Sequence, residues 1–171
     1  LSPNLKRALS LLALSFLAGC GFTPLYGGGG DDSVAAQLEQ IRVQNIPERQ
    51  GQVLHDTLQD DLQRDGAPVT QLYTLSVSYN VDQQSIGIQQ DTSSTRTRFV
   101  VTADWALAPI GQPDSPLVKG KASTEDAENT IDNQYFASEL EGDTINQQLA
   151  DEIAAQITSQ VAVYFKTHPQ G

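Results

Sequence analysis

The 171-residue chain has no methionine, one tryptophan, one cysteine, and 10 basic residues against 21 acidic ones. A lone cysteine cannot close an internal disulfide. Cys20 is also far in sequence from His55 and His168, so no Cys/His spacing of the kind that holds zinc is present and no metal is expected. The formal charge of -11 excludes a general nucleic-acid binder, because phosphate contacts need a net basic face. An anionic membrane surface would likewise repel the chain except at local basic spots. No apolar run reaches the roughly 20 residues that a membrane-spanning helix needs. The scarcity of methionine and tryptophan carries no functional meaning.

The informative residues begin at the start of the sequence. Lys6 and Arg7 precede an apolar run, Ala8 to Phe16, broken only by Ser10 and Ser15, and small residues then lead into Leu17-Ala18-Gly19-Cys20. A positive start, a short apolar segment and small residues before a cut site describe a secretory signal. The Leu-Ala-Gly-Cys ending resembles the lipobox of bacterial lipoproteins, which implies that residues 1–19 are removed and that Cys20 is acylated as the first mature residue. A free thiol beside an apolar segment is the alternative, but it leaves the placement of the single cysteine unexplained. Each buried methylene adds about 0.8 kcal/mol of membrane affinity, so two or three acyl chains would anchor the protein essentially permanently. Loss of Lys6 and Arg7 with the signal takes the formal charge from -11 to -13.

Residues 20–33, with four consecutive glycines from Gly27 to Gly30, read as a tether that cannot bury a core. About ten such residues have a mean reach of roughly 17 to 20 Å. Residues 34–171 suit one domain and can form a modest core without disulfides. A first strand is expected within Ala36–Gln44, closed by Pro47. Leu54, Leu58 and Leu62 share one face of a helix over Arg49–Arg64, with Gly66 as its C-cap and Pro68 beyond. Strict alternation over Gln71–Asp82 puts Tyr73, Leu75, Val77, Tyr79 and Val81 on one face of a strand. Thr95–Leu107 places Phe99, Val101, Ala103, Trp105 and Leu107 inside, Pro109–Pro116 forms a hairpin loop, and Leu117–Thr124 returns. Ile145, Leu149, Ile153, Ile157, Val161 and Tyr164 mark a long helix over Asp143–Lys166, capped by Asp143 or Thr144 and ended by Pro169. The segment Asp126–Glu141 reads as a loop leading to an earlier helical turn. The predicted fold is an α/β (α+β) two-layer sandwich of order β-α-β-β-β-α. Its two amphipathic helices cover one face of a four-stranded mixed or antiparallel sheet.

The run Cys20-Gly21-Phe22-Thr23-Pro24-Leu25-Tyr26-Gly27 resembles the mature start of the LPS-assembly lipoprotein family LptE, in its alphaproteobacterial form. Element order and size agree with that family. The resemblance implies a non-enzymatic outer-membrane lipoprotein, acylated (palmitate) at Cys20, that plugs the large β-barrel LptD and helps move lipopolysaccharide to the outer leaflet. The domain would face the periplasm or the barrel lumen, and small polar residues such as Thr74, Ser76, Thr95 and Thr97 suit a polar lumen. The alternative is a periplasmic accessory lipoprotein of a lipid ABC-transport system, which shares the anchor and a similar build.

No enzymatic constellation stands out. His55 could be set beside Asp56 or Asp60, but a solvated helix histidine is the better reading, and there is neither a Gly-x-Ser-x-Gly elbow nor a phosphate loop. Asp56, Asp60 and Asp61 lack the ligand spacing of a calcium loop, and no cofactor is expected beyond the lipid on Cys20. The basic residues are few enough to weigh. Arg96 and Arg98, and Lys119 and Lys121, are pairs two apart on neighbouring strands, so a hairpin brings all four to one sheet surface. Arginine forks and lysine point charges bind phosphates, and the resemblance implies phosphate-bearing lipopolysaccharide as the ligand. A solvated outer face, an edge-strand gatekeeper or a barrel-facing surface is the other reading of the same four residues.

Overall fold

The computed structural model describes residues 32–63, 70–88, 94–129 and 135–168. The signal, Cys20, most of the tether, Gly66, Pro68 and Pro169 lie outside the described residues. In chain order the elements are α1 (Asp32–Glu39), β1 (Ile41–Val43), α2 (Arg49–Leu62), β2 (Tyr73–Ile88), β3 (Ser94–Pro109), β4 (Val118–Asn129) and α3 (Tyr135–Thr167). Their sheet runs β1-β2-β3-β4. The short β1 pairs parallel to β2 at its start, while β2–β3 and β3–β4 are antiparallel. This is the expected mixed four-stranded sheet with helices packed on it, and Ser33–Gly171 forms one compact unit.

The alternation of β3 is realised in full. Phe99, Val101, Ala103, Trp105 and Leu107 are all buried beneath the helices. From the other layer, Leu54, Leu58 and Leu62 of α2 and Leu149, Ile153, Ile157 and Val161 of α3 close the core. Ala150, Ala154 and Ala162 of α3 are buried as well. At the C-terminal end of α3, Phe165 rather than Tyr164 fills the core, its ring 5.1 Å from that of Tyr73. Gly51 of α2 lies so close to the chain at Ile46 that a Cβ there would stand 2.7 Å from Ile46 Cγ2. Glycine at that helical position is therefore a packing requirement.

Four expectations need correction. First, a helix that the sequence reading lacks, α1, occupies Asp32–Glu39 ahead of the first strand, which at Ile41–Val43 lies within the expected Ala36–Gln44. Val34 and Leu38, four apart, are its buried residues. Second, α3 begins at Tyr135, which places Asp143 and Thr144 inside the helix and not at its cap. Third, Asp126–Asn129 is strand and belongs to β4, not to a loop. Fourth, the stripe of β2 is covered at only one end. Tyr73 and Leu75 are buried, but Val77, Tyr79 and Val81 are half-buried and lie beyond the end of β1, whose last residue, Val43, pairs with Leu75.

The two sheet edges differ. Along β4, Gln156 of α3 accepts from Ser123 N–H at 3.2 Å and donates to Ser123 C=O at 3.1 Å. One turn on, Gln160 donates to Lys121 C=O at 3.1 Å. These glutamine amides take the place of a neighbouring strand and satisfy backbone groups that an edge otherwise leaves open.

Candidate functional site

The sheet face turned away from the helices is the main polar surface of the domain. It carries the even positions of β2 and β3 and the odd positions of β4, as the register pairs Asp104 with Lys121 and Ala106 with Lys119. Arg96, Arg98, Lys119 and Lys121 thus lie on one surface, as the spacing implies. They do not form one patch. Arg98 pairs with Ala127 in register and Lys121 with Asp104, and at about 3.4 Å per residue the arginine and lysine ends are roughly 20 Å apart.

Each end also contains an acid. Arg98 forms an ion pair with Glu125, and Lys121 Nζ stands 3.4 Å from Asp104 Oδ1. Both pairs are exposed, so each retains little net field. Lys119 has no ion-pair partner among the described residues. It borders a shallow groove of about 410 Å³ together with Asn45, Ser76, Ser78, Asp104 and Ala106. The small side chain of Ala106 leaves the floor open, while a lysine ammonium, an amide and two hydroxyls surround it beside the Asp104 carboxylate, which is paired with Lys121. Such a set can donate hydrogen bonds to a phosphate or a sugar. It supplies no nucleophile–base pair.

A second cleft, of about 520 Å³, opens where the N-terminus of α2 meets α3, lined by Glu48, Arg49, Gln50, Asp143 and Asn146 among others. An Arg49–Asp143 ion pair at 3.2 Å and a Gln50–Asn146 hydrogen bond at 3.2 Å span it. Its edge holds the one backbone outlier among the described non-glycine residues, Glu48, with φ 70° and ψ 163°. His55 Nδ1 meets Asp56 Oδ1 at 2.9 Å, the contact of neighbouring side chains on one helix. Among the described residues no group of three or more His, Cys, Asp or Glu side chains is placed to hold a metal ion. No described helix is long and apolar enough to cross a membrane.

Residues 38–161 match the family described as LptE, lipopolysaccharide-assembly. The chain belongs to the LptE family. Solved structures agree on the fold. A lipoprotein from Caulobacter crescentus is similar at a TM-score of 0.65 and 21% identity, over 81% of this chain and 98% of that one. Rare lipoprotein B from Shewanella oneidensis gives 0.56 at 9% identity, over 76% and 97%. A minor lipoprotein from Acinetobacter baumannii gives 0.57 at 14%, over 73% and 92%. No curated protein sequence matches the chain.

LptE proteins are non-enzymatic lipoproteins of lipopolysaccharide assembly, anchored in the outer membrane and partnered with LptD. The polar sheet surface described above therefore belongs to a non-enzymatic protein. Sequence reasoning found its four cations but missed Glu125 and Asp104, which partner two of them, and Asn45, which borders the groove. The cross-strand acids were detectable in principle, since Asp104 lies directly opposite Lys121 and Glu125 is diagonal to Arg98, and charges at such positions of an antiparallel pair interact. Asn45 carried no signal, because its position depends on where the chain leaves β1.

Proposed function

We propose that this LptE-family chain is an alphaproteobacterial-type lipoprotein, acylated at Cys20 after loss of residues 1–19. On this reading it sits as a plug in the lumen of LptD during lipopolysaccharide export. The observation that carries the reading is the family match over 38–161 joined to the Cys20–Gly27 run at the mature start. The similarity to the Caulobacter lipoprotein supports the subtype. The polar sheet face faces the barrel wall or the periplasm, since a barrel lumen is itself polar. Within that face the Lys119 groove takes a lipopolysaccharide phosphate, with Arg98 and Arg96, eight and ten residues along β3 from Ala106 opposite Lys119, about 27 and 34 Å away as a separate contact.

The test is a pull-down from detergent-solubilised outer membranes with mass spectrometry of bound protein and lipid. Recovery of a barrel-sized LptD homologue with lipopolysaccharide is expected, with an acyl mass on Cys20. Recovery of an inner-membrane transport complex instead would replace this reading by that of an ABC-system accessory protein.

A further inference from the structure

The open edge of β2 is the feature that the fold leaves unsatisfied. β1 pairs with β2 only at Tyr73, Thr74 and Leu75, and the last bond on that side runs from Gln44 N–H to Leu75 C=O at 2.9 Å. On the same side Tyr73 N–H donates to Gln40 C=O, so the odd residues of β2 direct their backbone groups away from β3. Continuing that parity, Val77, Tyr79, Val81 and Gln83 present N–H and C=O groups to the free edge. Among the described residues nothing pairs with these groups. β4 solves the same problem with Gln156 and Gln160; among the described residues β2 has no such cover. From Val77 to Gln83 this edge holds no proline and no lysine, and one charge, Asp82. Those are the devices by which exposed edges usually avoid pairing.

We infer that the β2 edge from Val77 to Gln83 receives an extended strand of the barrel partner, by backbone pairing that continues the line of β1. The inference rests on the reading that LptD is the partner. Side chains support a strand as occupant. Val77, Tyr79 and Val81 are half-buried on the helix side, and Ser78, Asn80 and Asp82 are exposed on the other. An incoming segment of about seven residues with apolar groups at alternate positions would complete the burial on the first side and leave polar groups on the second. One self-pairing is blocked: antiparallel pairing of β2 with itself about Tyr79 carries the partner's residues beyond 81 into Gln44 and Asn45, which follow β1 at that edge. A second copy centred nearer Gln83 is distinguished by the concentration dependence of exchange. A short strand that ends or turns at Asn45 meets no such obstacle.

The test uses the full chain co-purified with LptD, compared with the chain alone by amide hydrogen exchange. Exchange of the 77–83 segment is expected to slow at least tenfold in the complex. The even amides, already bonded to β3, should change little. Val81→Pro removes one edge N–H without touching the β3 ladder, and should reduce recovery of the complex several-fold, whereas Val81→Ala should not. A complex that forms with unchanged exchange at 77–83, or equal recovery of the two Val81 variants, overturns the inference and leaves the LptD reading standing. Slowed exchange in the isolated chain that depends on its concentration overturns it in favour of self-pairing. If the unsubstituted chain forms no complex with LptD, both the inference and the reading beneath it fall.

Discussion

Gly120 of β4 lies directly opposite Trp105 of β3, and a Cβ on Gly120 would stand 2.6 Å from Trp105 Cε2 and 2.7 Å from Gln160 Oε1. The indole and the glutamine that covers the β4 edge therefore share the space that a side chain at 120 would occupy. Gly120→Ala should lower unfolding stability by about 1–3 kcal/mol, the usual cost of overpacking. Denaturant titration followed by the fluorescence of Trp105, the chain's single tryptophan, gives the midpoint directly. A variant as stable as the parent would mean that the ring is free to move aside.

Glu48 holds φ 70° and ψ 163° at the N-cap of α2, with no side-chain cap bond. That region is open essentially only to glycine and costs other residues about 1–3 kcal/mol. Glu48→Gly should therefore be neutral to stabilising by about 0–2 kcal/mol, once the extra freedom of glycine in the unfolded chain is subtracted. The Gly51→Ala change three residues on should destabilise, since the new methyl meets Ile46. Opposite signs within one turn of chain, measured by the same urea midpoint, check both positions. Destabilisation by Glu48→Gly would show that the carboxylate contributes more than the strain costs.

Burial pushes the Tyr79 hydroxyl up to about 12 from its ordinary 10.0. The folded state thus keeps this proton through a pH range in which the unfolded chain releases it. The linked stability is fully present below pH 10 and is lost as the pH rises towards 12. Tyr79→Phe removes the titration, so the stability of the parent should fall faster than that of the variant above pH 10. Lysines and the other tyrosines titrate in both chains, so the difference between the two curves is the quantity to measure. Parallel curves from pH 9 to 12 would place the hydroxyl in water.

Much of the fold was legible because a single face was buried. The alternation at Phe99, Val101, Ala103, Trp105 and Leu107 and the four-residue steps from Leu149 to Val161 are direct imprints of the core. What escaped lacks that imprint. α1 has only Val34 and Leu38 to bury, and it abuts the β-prone Ile41, Val43 and Ile46, so its short period is masked. The far ends of β2 and β3 are held mainly by pairing with each other, and a ladder built from backbone groups leaves no apolar pattern. The half-buried Val77, Tyr79 and Val81 lie beyond the end of β1, and where that strand ends is a property of the neighbouring strand and not of β2. For the site, the spacing placed four cations on one face, but their separation along the strands and their pairing with Glu125 and Asp104 required the register.

The register also divides the labour among the basic residues. Alanine at Arg96, Arg98, Lys119 and Lys121 together should leave the fold intact, because these side chains lie outside the core and exposed ion pairs contribute about 0–1 kcal/mol. Lipopolysaccharide binding should weaken, and more so at low salt, where charges at the surface are least screened. Single changes should not be equivalent. Lys119→Ala removes a cation that forms no ion pair among the described residues, although Asp104 borders the same groove, and should account for a large share of the loss. Lys121→Ala and Arg98→Ala each leave a carboxylate behind, at Asp104 and Glu125, so they act partly by adding repulsion. Their effect should then be recovered by the double changes Lys121→Ala with Asp104→Ala and Arg98→Ala with Glu125→Ala, while Lys119→Ala has no such rescue. Titration of each variant with lipopolysaccharide at two salt concentrations separates these cases. Unaltered binding by the quadruple variant would remove the cations from the ligand surface and leave them to the barrel wall.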